Sequence, residues 1–482
     1  MKIKYTLLLI FVGFALFAQN SSLCSKIAID KDFAALPITS FNDPKSASIY
    51  FKDKDKENDL FILFNQELQI KDSIVVHPNK NARDLLGYSN LNGKTYLYFE
   101  SKEDNQLVLE VIDKVNKSSH SQVMPFEWVK EKIIKRYSYR DCLYIFTLSK
   151  KQNDLNMYCF KGDAVTATKM PLKGVRFFND SKQPTTMYEL FQSATRYDLG
   201  FTCKTITTES LPPLTATVCK RKFYAFDTTF CFTFDNIPNF TQALFVNSEE
   251  GTLNQTTYMF PMMENEEGGA TNIETNSLIT KNYILQVKLA NHQLLFVVKN
   301  WQNVEVNSYE INDNSEITFK NSDIIIEKEG TKNRKISTET KKLLQKMNQY
   351  LPAISCFEQN GKMYVSLGGA HKLQQNSGMA TGAYFGLVGV LVGALLDGMS
   401  SSNSIQSYNE YHVVYINCLF DTQFKHIEGQ AKTFAFDAMR EFVDQNNSKM
   451  KVPVVFPFND NLVLGALSPK TGNFCFQNFV NP

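Results

Sequence analysis

The sequence predicts an all-β chain, and three observations carry that prediction. Aromatic residues make up 13% of it, with 38 Phe and 21 Tyr, and such side chains favour pleated, packed surfaces. Short alternating or aromatic-rich runs recur from about residue 45 onward, divided by polar turn clusters. Only two stretches repeat their apolar residues at the helical spacing of three and four.

At the N-terminus, Lys2 and Lys4 precede an apolar run from Leu7 to Phe17, and Ala18-Gln19 offers a cleavage point. The run is shorter than the ~20 residues of a spanning helix. Residues 1–18 therefore resemble a bacterial export signal, and the expected destination of the mature chain is periplasm, outer envelope or medium. Cys24 follows Leu23, where a lipidation signal would have a small residue. No lipid anchor is expected there.

The strand-like runs include SASIYFK (46–52), DLFILFN (59–65), KTYLYFES (94–101), QLVLEVID (106–113), CLYIFTLS (142–149) and TFCFTFD (229–235). They continue with YILQVKLA (283–290), QLLFVVKN (293–300), KMYVSLGG (362–369), YHVVYINCLF (411–420) and NLVLGALS (461–468). In YILQVKLA the residues Leu285, Val287 and Leu289 share one face and Gln286 and Lys288 the other. One side is expected to be buried and the other wetted.

NGKTYLYF (92–99) and NGKMYVSL (360–367) echo each other, each with an Asn-Gly pair where a tight hairpin needs φ > 0. YRDCLYIF (139–146) reads as a further copy. At the ~40–50 residues of a propeller blade, the two Asn-Gly copies would lie about six units apart. In strand density and turn placement the chain resembles a β-propeller, which implies about 6–8 blades formed by residues 19–370 and 411–482. Residues 171–215 and 320–355 fit that parse badly. Two β-sandwich domains are the alternative.

Helices are expected at STETKKLLQKMNQYL (337–351), behind a Ser/Thr/Glu start suited to an N-cap, and at TFAFDAMREFVDQ (433–445). Their apolar stripes, Leu344, Met347 and Leu351 in one and Ala435, Met439, Phe442 and Val443 in the other, read as packing surfaces.

Nine cysteines bound for an oxidising compartment admit disulfides. The expected bridge lies among Cys203, Cys219 and Cys231. Cys142, Cys231, Cys418 and Cys475 sit in apolar runs and read as small buried hydrophobes.

Known catalytic patterns are missing. The sequence has no G-x-S-x-G elbow, no phosphate-cradling glycine loop and no H-E-x-x-H. The acidic run 53–59 lacks the glycine and the final glutamate of a calcium loop, and the acidic patch 264–269 reads as a solvated turn. The six histidines, at 77, 120, 292, 371, 412 and 426, show no metal spacing. No metal, no cofactor and no catalytic residue is nominated. A formal charge of +2 without basic runs argues against nucleic acid as a partner.

One stretch stands apart. KMYVSLGG and YHVVYINCLF look like hairpin partners, yet about forty residues separate them, far beyond the 2–5 usual in hairpin loops. Met379 to Leu396 carries no charge over 18 residues, about 27 Å if helical, against a hydrocarbon core of ~30 Å. Gly378, Gly382 and Gly386 are four apart, as are Gly389 and Gly393, and this G-x-x-x-G spacing resembles glycine-zipper segments of envelope proteins. The resemblance implies close packing against a membrane or a protein, including a second copy; the protein's own core is the other possible cover.

Residues 371–410 thus read as an insertion bearing a contact surface, with those five glycines as its interaction residues. The functional expectation is an exported, non-enzymatic binding or assembly module of the cell envelope. The rival is an exported hydrolase of polysaccharide or peptide, using acidic residues in a central pocket.

Overall fold

The computed structural model describes residues 23–27, 33–53, 58–127, 131–195, 198, 200–208, 210–263, 273–373, 408–446, 450–459 and 461–481. Its strands form seven sheets of four or five strands, antiparallel but for one parallel pair, and a two-stranded ribbon at 177–185. All eleven predicted strand runs are strands. The described residues form a seven-bladed β-propeller.

Blades 1, 2 and 3 are simple meanders spanning Phe33–Val76, Ala82–Pro125 and Lys132–Pro171. Blade 4 spans Arg221–Met259, with the short strand Lys204–Thr205 added in parallel beside its first strand. Blade 5 spans Ile273–Asn312. Blade 6 takes its first three strands from Leu351–Gln359, Lys362–Lys372 and Tyr411–Asp421, while its outer pair, Ile324–Lys328 and Lys335–Ser337, comes earlier in the chain. Blade 7 consists of Lys451–Phe458, Asn461–Leu467 and Asn473–Val480, and its outermost strand is Leu23–Lys26. Pairing the first described strand with the last one closes the ring.

Four helices are described: α1 (Met187–Gln192), α2 (Leu214–Thr217), α3 (Thr340–Met347) and α4 (Ala435–Asn446). The two predicted helices are α3 and α4, but α3 ends at Met347, and Leu351, expected in its stripe, opens the first strand of blade 6. The N-cap of α3 is Glu339, within the expected Ser/Thr/Glu start, and its side chain makes no capping hydrogen bond. The 171–215 region resisted the blade parse because it holds the ribbon, α1 and α2 between blades 3 and 4. The 320–355 region did so because blade 6 receives its outer strands ahead of its inner ones.

Buried side chains fall into clusters that couple each blade to the next. Ile49, Phe51 and Phe64 of blade 1 pack on Phe456, Phe474 and Phe476 of blade 7. Further clusters join blades 1 and 2, 2 and 3, and 3 and 4. A large one runs from blade 4 through 5 to 6, and another joins 6 to 7 with α2 and α4. Edge-to-face pairs recur at these seams, as between Phe51 and Phe474 (5.3 Å) or Phe146 and Phe232 (5.4 Å). The abundance of Phe is explained by these seams, where rings interlock at little cost in side-chain freedom.

Stacking also corrects the expectation for YILQVKLA. Both faces are buried, with Gln286 at 0% and Lys288 at 2% exposure, because a neighbouring blade covers each side. Gln286 Nε2 donates to the Tyr258 carbonyl and Lys288 Nζ to the Pro261 carbonyl, both on the chain leaving blade 4.

The Asn-Gly echoes are tight turns as expected: Asn92 and Gly93 have φ of 50° and 75°, Asn360 and Gly361 of 52° and 69°. Each joins the first two strands of its blade, as does the turn at Arg140 and Asp141. The two Asn-Gly copies lie four blades apart, not six. Long connections between blades 3 and 4 and within blade 6 stretch the average repeat beyond its usual length.

The cysteine expectation is corrected too. The disulfide joins Cys24 to Cys475 across the closing strand pair, and Cys203, Cys219 and Cys231 are not disulfide-bonded. Cys475 is therefore not a free buried thiol. Proximity in sequence misled, because ring closure brings together residues 451 apart.

Candidate functional site: the root of the 374–407 segment

Gly378, Gly382, Gly386, Gly389 and Gly393 lie outside the described residues, as does the acidic patch 264–269. What the structure describes is the root from which the glycine-bearing segment leaves. Lys362–Lys372 and Tyr411–Asp421 pair over eleven positions, from Lys362 opposite Asp421 to Lys372 opposite Tyr411. Beyond the ladder, Leu373 N donates to the Glu410 carbonyl at 2.9 Å. The two ends of the segment leave side by side.

Strand alternation places this root. In a meander, successive turns alternate between the two ends of the sheet, so the second connection of each blade shares an end with the links between blades. The root therefore opens on the linking face.

Tyr408 anchors one side of the root. It is 5% exposed, its hydroxyl accepts from Leu214 N at 3.0 Å, and the Arg440 guanidinium lies 3.4 Å from its ring centre. Such stacking on a desolvated ring is worth up to about 2 kcal/mol. Arg440, from α4, also bonds Glu327 Oε2 and, at 3.2 Å, Asp437 Oδ1. Glu327, itself fully buried, accepts at Oε1 from Arg334 Nε (2.9 Å) and from the Tyr415 hydroxyl (3.2 Å). Burial raises the carboxyl pKa of Asp437, aided by Glu327 and opposed by Arg440 and Arg334.

On the other side of the root stand two histidines that the sequence keeps forty residues apart. His371 and His412 are opposite each other, rings 6.5 Å apart, and His371 stacks on Tyr350 at 5.7 Å. Burial and Lys328 lower the pKa of His412, against the pull of Glu329 at 3.9 Å. No sequence spacing announces this pair, because only strand register makes it.

Glu327 is thus held by two arginines and a tyrosine. Among the described residues no cluster of three or more His, Cys, Asp or Glu could hold a metal ion.

Two other places were natural candidates for acid/base chemistry. Burial raises the carboxyl pKa of both Asp59 and Glu110, from blades 1 and 2, and Asp59 adds a lesser upward push on Glu110. Each is 1% exposed, with Asp59 bonded by the Tyr50 hydroxyl and Asp53 N, and Glu110 by Asn79 N and Ser121. They are closed to substrate. A groove of about 340 Å³ between blades 4 and 5 is open, lined by Phe245, Tyr258, Trp301 and neutral Thr, Asn and Gln side chains. No carboxylate lines it.

Compared with known proteins, the chain matches no family model, and no curated sequence matches it. Solved structures similar to it include the WD40 domain of SCAP from fission yeast, at 9% identity over 96% of this chain and 98% of that one, TM-score 0.29. The β-propeller domain of the Trilobed protease from Pyrococcus furiosus is similar at 9% identity, 95% of both chains and TM-score 0.32. A prolyl endopeptidase is similar at 8% identity over 91% of this chain, TM-score 0.26, and this chain spans only 55% of its length.

Proposed function

We propose that this chain is an exported, non-enzymatic binding or assembly module of the cell envelope, and that the 374–407 segment makes its contact with a protein partner, a second copy or a membrane. The observation that carries the reading is the root. A ladder braced by Tyr408, Arg440 and Glu327 presents, from one point on the linking face, a glycine-rich sequence that carries no charge from Met379 to Leu396. Its ends emerge together, which favours a membrane contact that dips and returns or lies along the interface over a single crossing of a bilayer. No described helix is long and apolar enough to cross a membrane.

Export is supported by the leader-like first 18 residues and by the Cys24–Cys475 disulfide, since such bonds persist in oxidising compartments. The hydrolase reading has less support. Among the described residues, the carboxylates brought together between blades 1 and 2 are sealed, and the open groove has none.

Replacing residues 374–407 with a short Gly-Ser turn tests the proposal. The root ladder is complete without them, so near-UV circular dichroism should be unchanged. Envelope association or oligomeric size should fall. Unchanged fractionation and unchanged size would remove the contact role.

A further inference from the structure

The groove between blades 4 and 5 is open to a ligand, and strand alternation lines one of its sides. Thr252, Asn254, Thr256 and Tyr258, every second residue of the outer strand of blade 4, share one face, and Phe245 stands opposite Asn254 on the neighbouring strand. Thr252 and Asn254 are exposed, Thr256 is half-buried, and Phe245 and Tyr258 are buried. The groove therefore has a polar rim and an aromatic floor.

Trp301 forms the other side, from the turn between the third and fourth strands of blade 5. Its indole N–H donates to the Thr280 carbonyl at 3.2 Å, and its ring lies 5.1 Å from that of Phe245 and 5.9 Å from that of Phe226. The Tyr258 hydroxyl donates to the Trp301 carbonyl at 3.2 Å and so ties this turn to blade 4. The one polar atom of the indole is used inside the protein, and the half-buried ring offers the groove carbon surface in a fixed orientation. Gln302, next in the chain, is exposed and also lines the groove.

Size, charge and hydrogen-bonding groups together select the ligand. A volume of about 340 Å³ is at the lower end of the ~300–1,000 Å³ of small-molecule sites and suits one or two sugar rings. Among the described residues no charged side chain lines the groove, so it offers no counter-charge to a phosphate, a carboxylate or an ammonium. Asn254 and Gln302 each bring amide donors and a carbonyl acceptor, and the threonine hydroxyls serve as either. A saccharide uses both kinds of surface at once: its hydroxyls exchange hydrogen bonds with amides, and its weakly positive C–H face rests on the negative face of an aromatic ring. We propose that this groove binds a neutral saccharide of one or two rings, with Trp301 as the stacking platform and Asn254 and Gln302 as partners of the sugar hydroxyls. The turn that carries Trp301 lies at the end of its blade opposite the linking face, so this site is separate from the 374–407 segment and does not rest on its contact role.

The test uses the folded full-length protein in saturation-transfer NMR with glucose, galactose, mannose, N-acetylglucosamine and cellobiose, each at millimolar concentration in its own sample. The uncharged peptide acetyl-Ala-Ala-Pro-Ala-amide stands for the alternative occupant. At least one of the sugars should receive saturation, strongest at its ring C–H protons, and Trp301→Ala should weaken that binding roughly tenfold or more.

Asn254→Glu keeps the aromatic contacts of Trp301 and changes only an exposed strand position, so it serves should Trp301→Ala fail to fold. By placing a longer, charged side chain in the groove it should weaken the sugar to a similar degree, with far-UV circular dichroism and the urea midpoint establishing that each variant is folded. The chain lacking 374–407 should bind the sugar as the unaltered protein does, and Asn254→Glu should leave envelope association and oligomeric size unchanged, so this site and the contact role are read separately. Three results would overturn the proposal: no transfer to any of the sugars, transfer that survives substitution in a folded variant, or transfer to the peptide alone.

Discussion

Lys222 and Asp235 form an ion pair at 2.6 Å with both side chains fully buried. Asp235 also accepts from the Thr241 and Ser277 hydroxyls and from Ser277 N, so the carboxylate is well satisfied and ties blade 4 to blade 5. Burial alone would raise its pKa, but Lys222, aided by Thr241 and Lys220, outweighs it and holds the group below the usual carboxylate range. A lowered folded-state value means stability that is present above the unfolded value near ~4 and is lost as pH falls through the folded one. Asp235→Asn should cost about 3–5 kcal/mol at neutral pH by stranding a buried ammonium, and should remove part of the acid dependence. Urea midpoints at pH 7 and pH 3 check both. The pair could not be read from the sequence, because KFYAF and TFCFTFD look like ordinary strands and burial of their second face depends on the neighbouring blade. The Asn-Gly turns were legible for the opposite reason: their geometry is local. Gly368 shows an intermediate case. A Cβ there would lie 1.9 Å from the Val414 carbonyl oxygen, a need for glycine that appears only once the long hairpin has paired.

At the scale of elements, the eleven strand runs and two helices were legible because alternation and the 3.6-residue stripe are local patterns. The ribbon at 177–185 and the short α1 and α2 escaped, and so did two elements whose strands have partners distant in the chain. One is the outer pair of blade 6. The other is Leu23–Lys26, four residues that owe their strand conformation to Asn473–Val480 and to the Cys24–Cys475 bond. So short a strand has little independent hold on the sheet, and the disulfide keeps it from leaving. Cys24→Ser should lower stability by roughly 2–4 kcal/mol, with Cys475→Ser giving the same loss and the double variant no more. Amide exchange adds a local check: protection should fall first at Leu23–Lys26 and along Asn473–Val480, while blades 3 and 4 keep theirs. Equal loss of protection in every blade would show that the strand is not a separable latch.

The whole molecule is a ring, and a ring differs from an open repeat array in how it fails. In an open array each unit contacts its neighbours only, and a terminal unit can be removed at the cost of one interface. Here blade 7 is shared between two clusters. Val454, Phe456, Phe474 and Phe476 cover blade 1, while Val455, Leu462, Leu464 and Phe479 pack with α4 and blade 6. Removing Lys451–Val480 therefore uncovers two large apolar faces and leaves Leu23–Lys26 without a partner. At ~25 cal/mol per Å² of apolar surface, losing the cover of a dozen such side chains exceeds the 5–15 kcal/mol net stability of a typical domain. A chain cut after Asn446 should thus not settle into a six-bladed ring. It should lose near-UV circular dichroism, bind a hydrophobic dye and unfold without a sharp transition, whereas the chain lacking only 374–407 should keep all three native signatures. A truncated chain that unfolds sharply, at a lower urea midpoint and with no dye binding, would show that the blades stand alone and that ring closure contributes little.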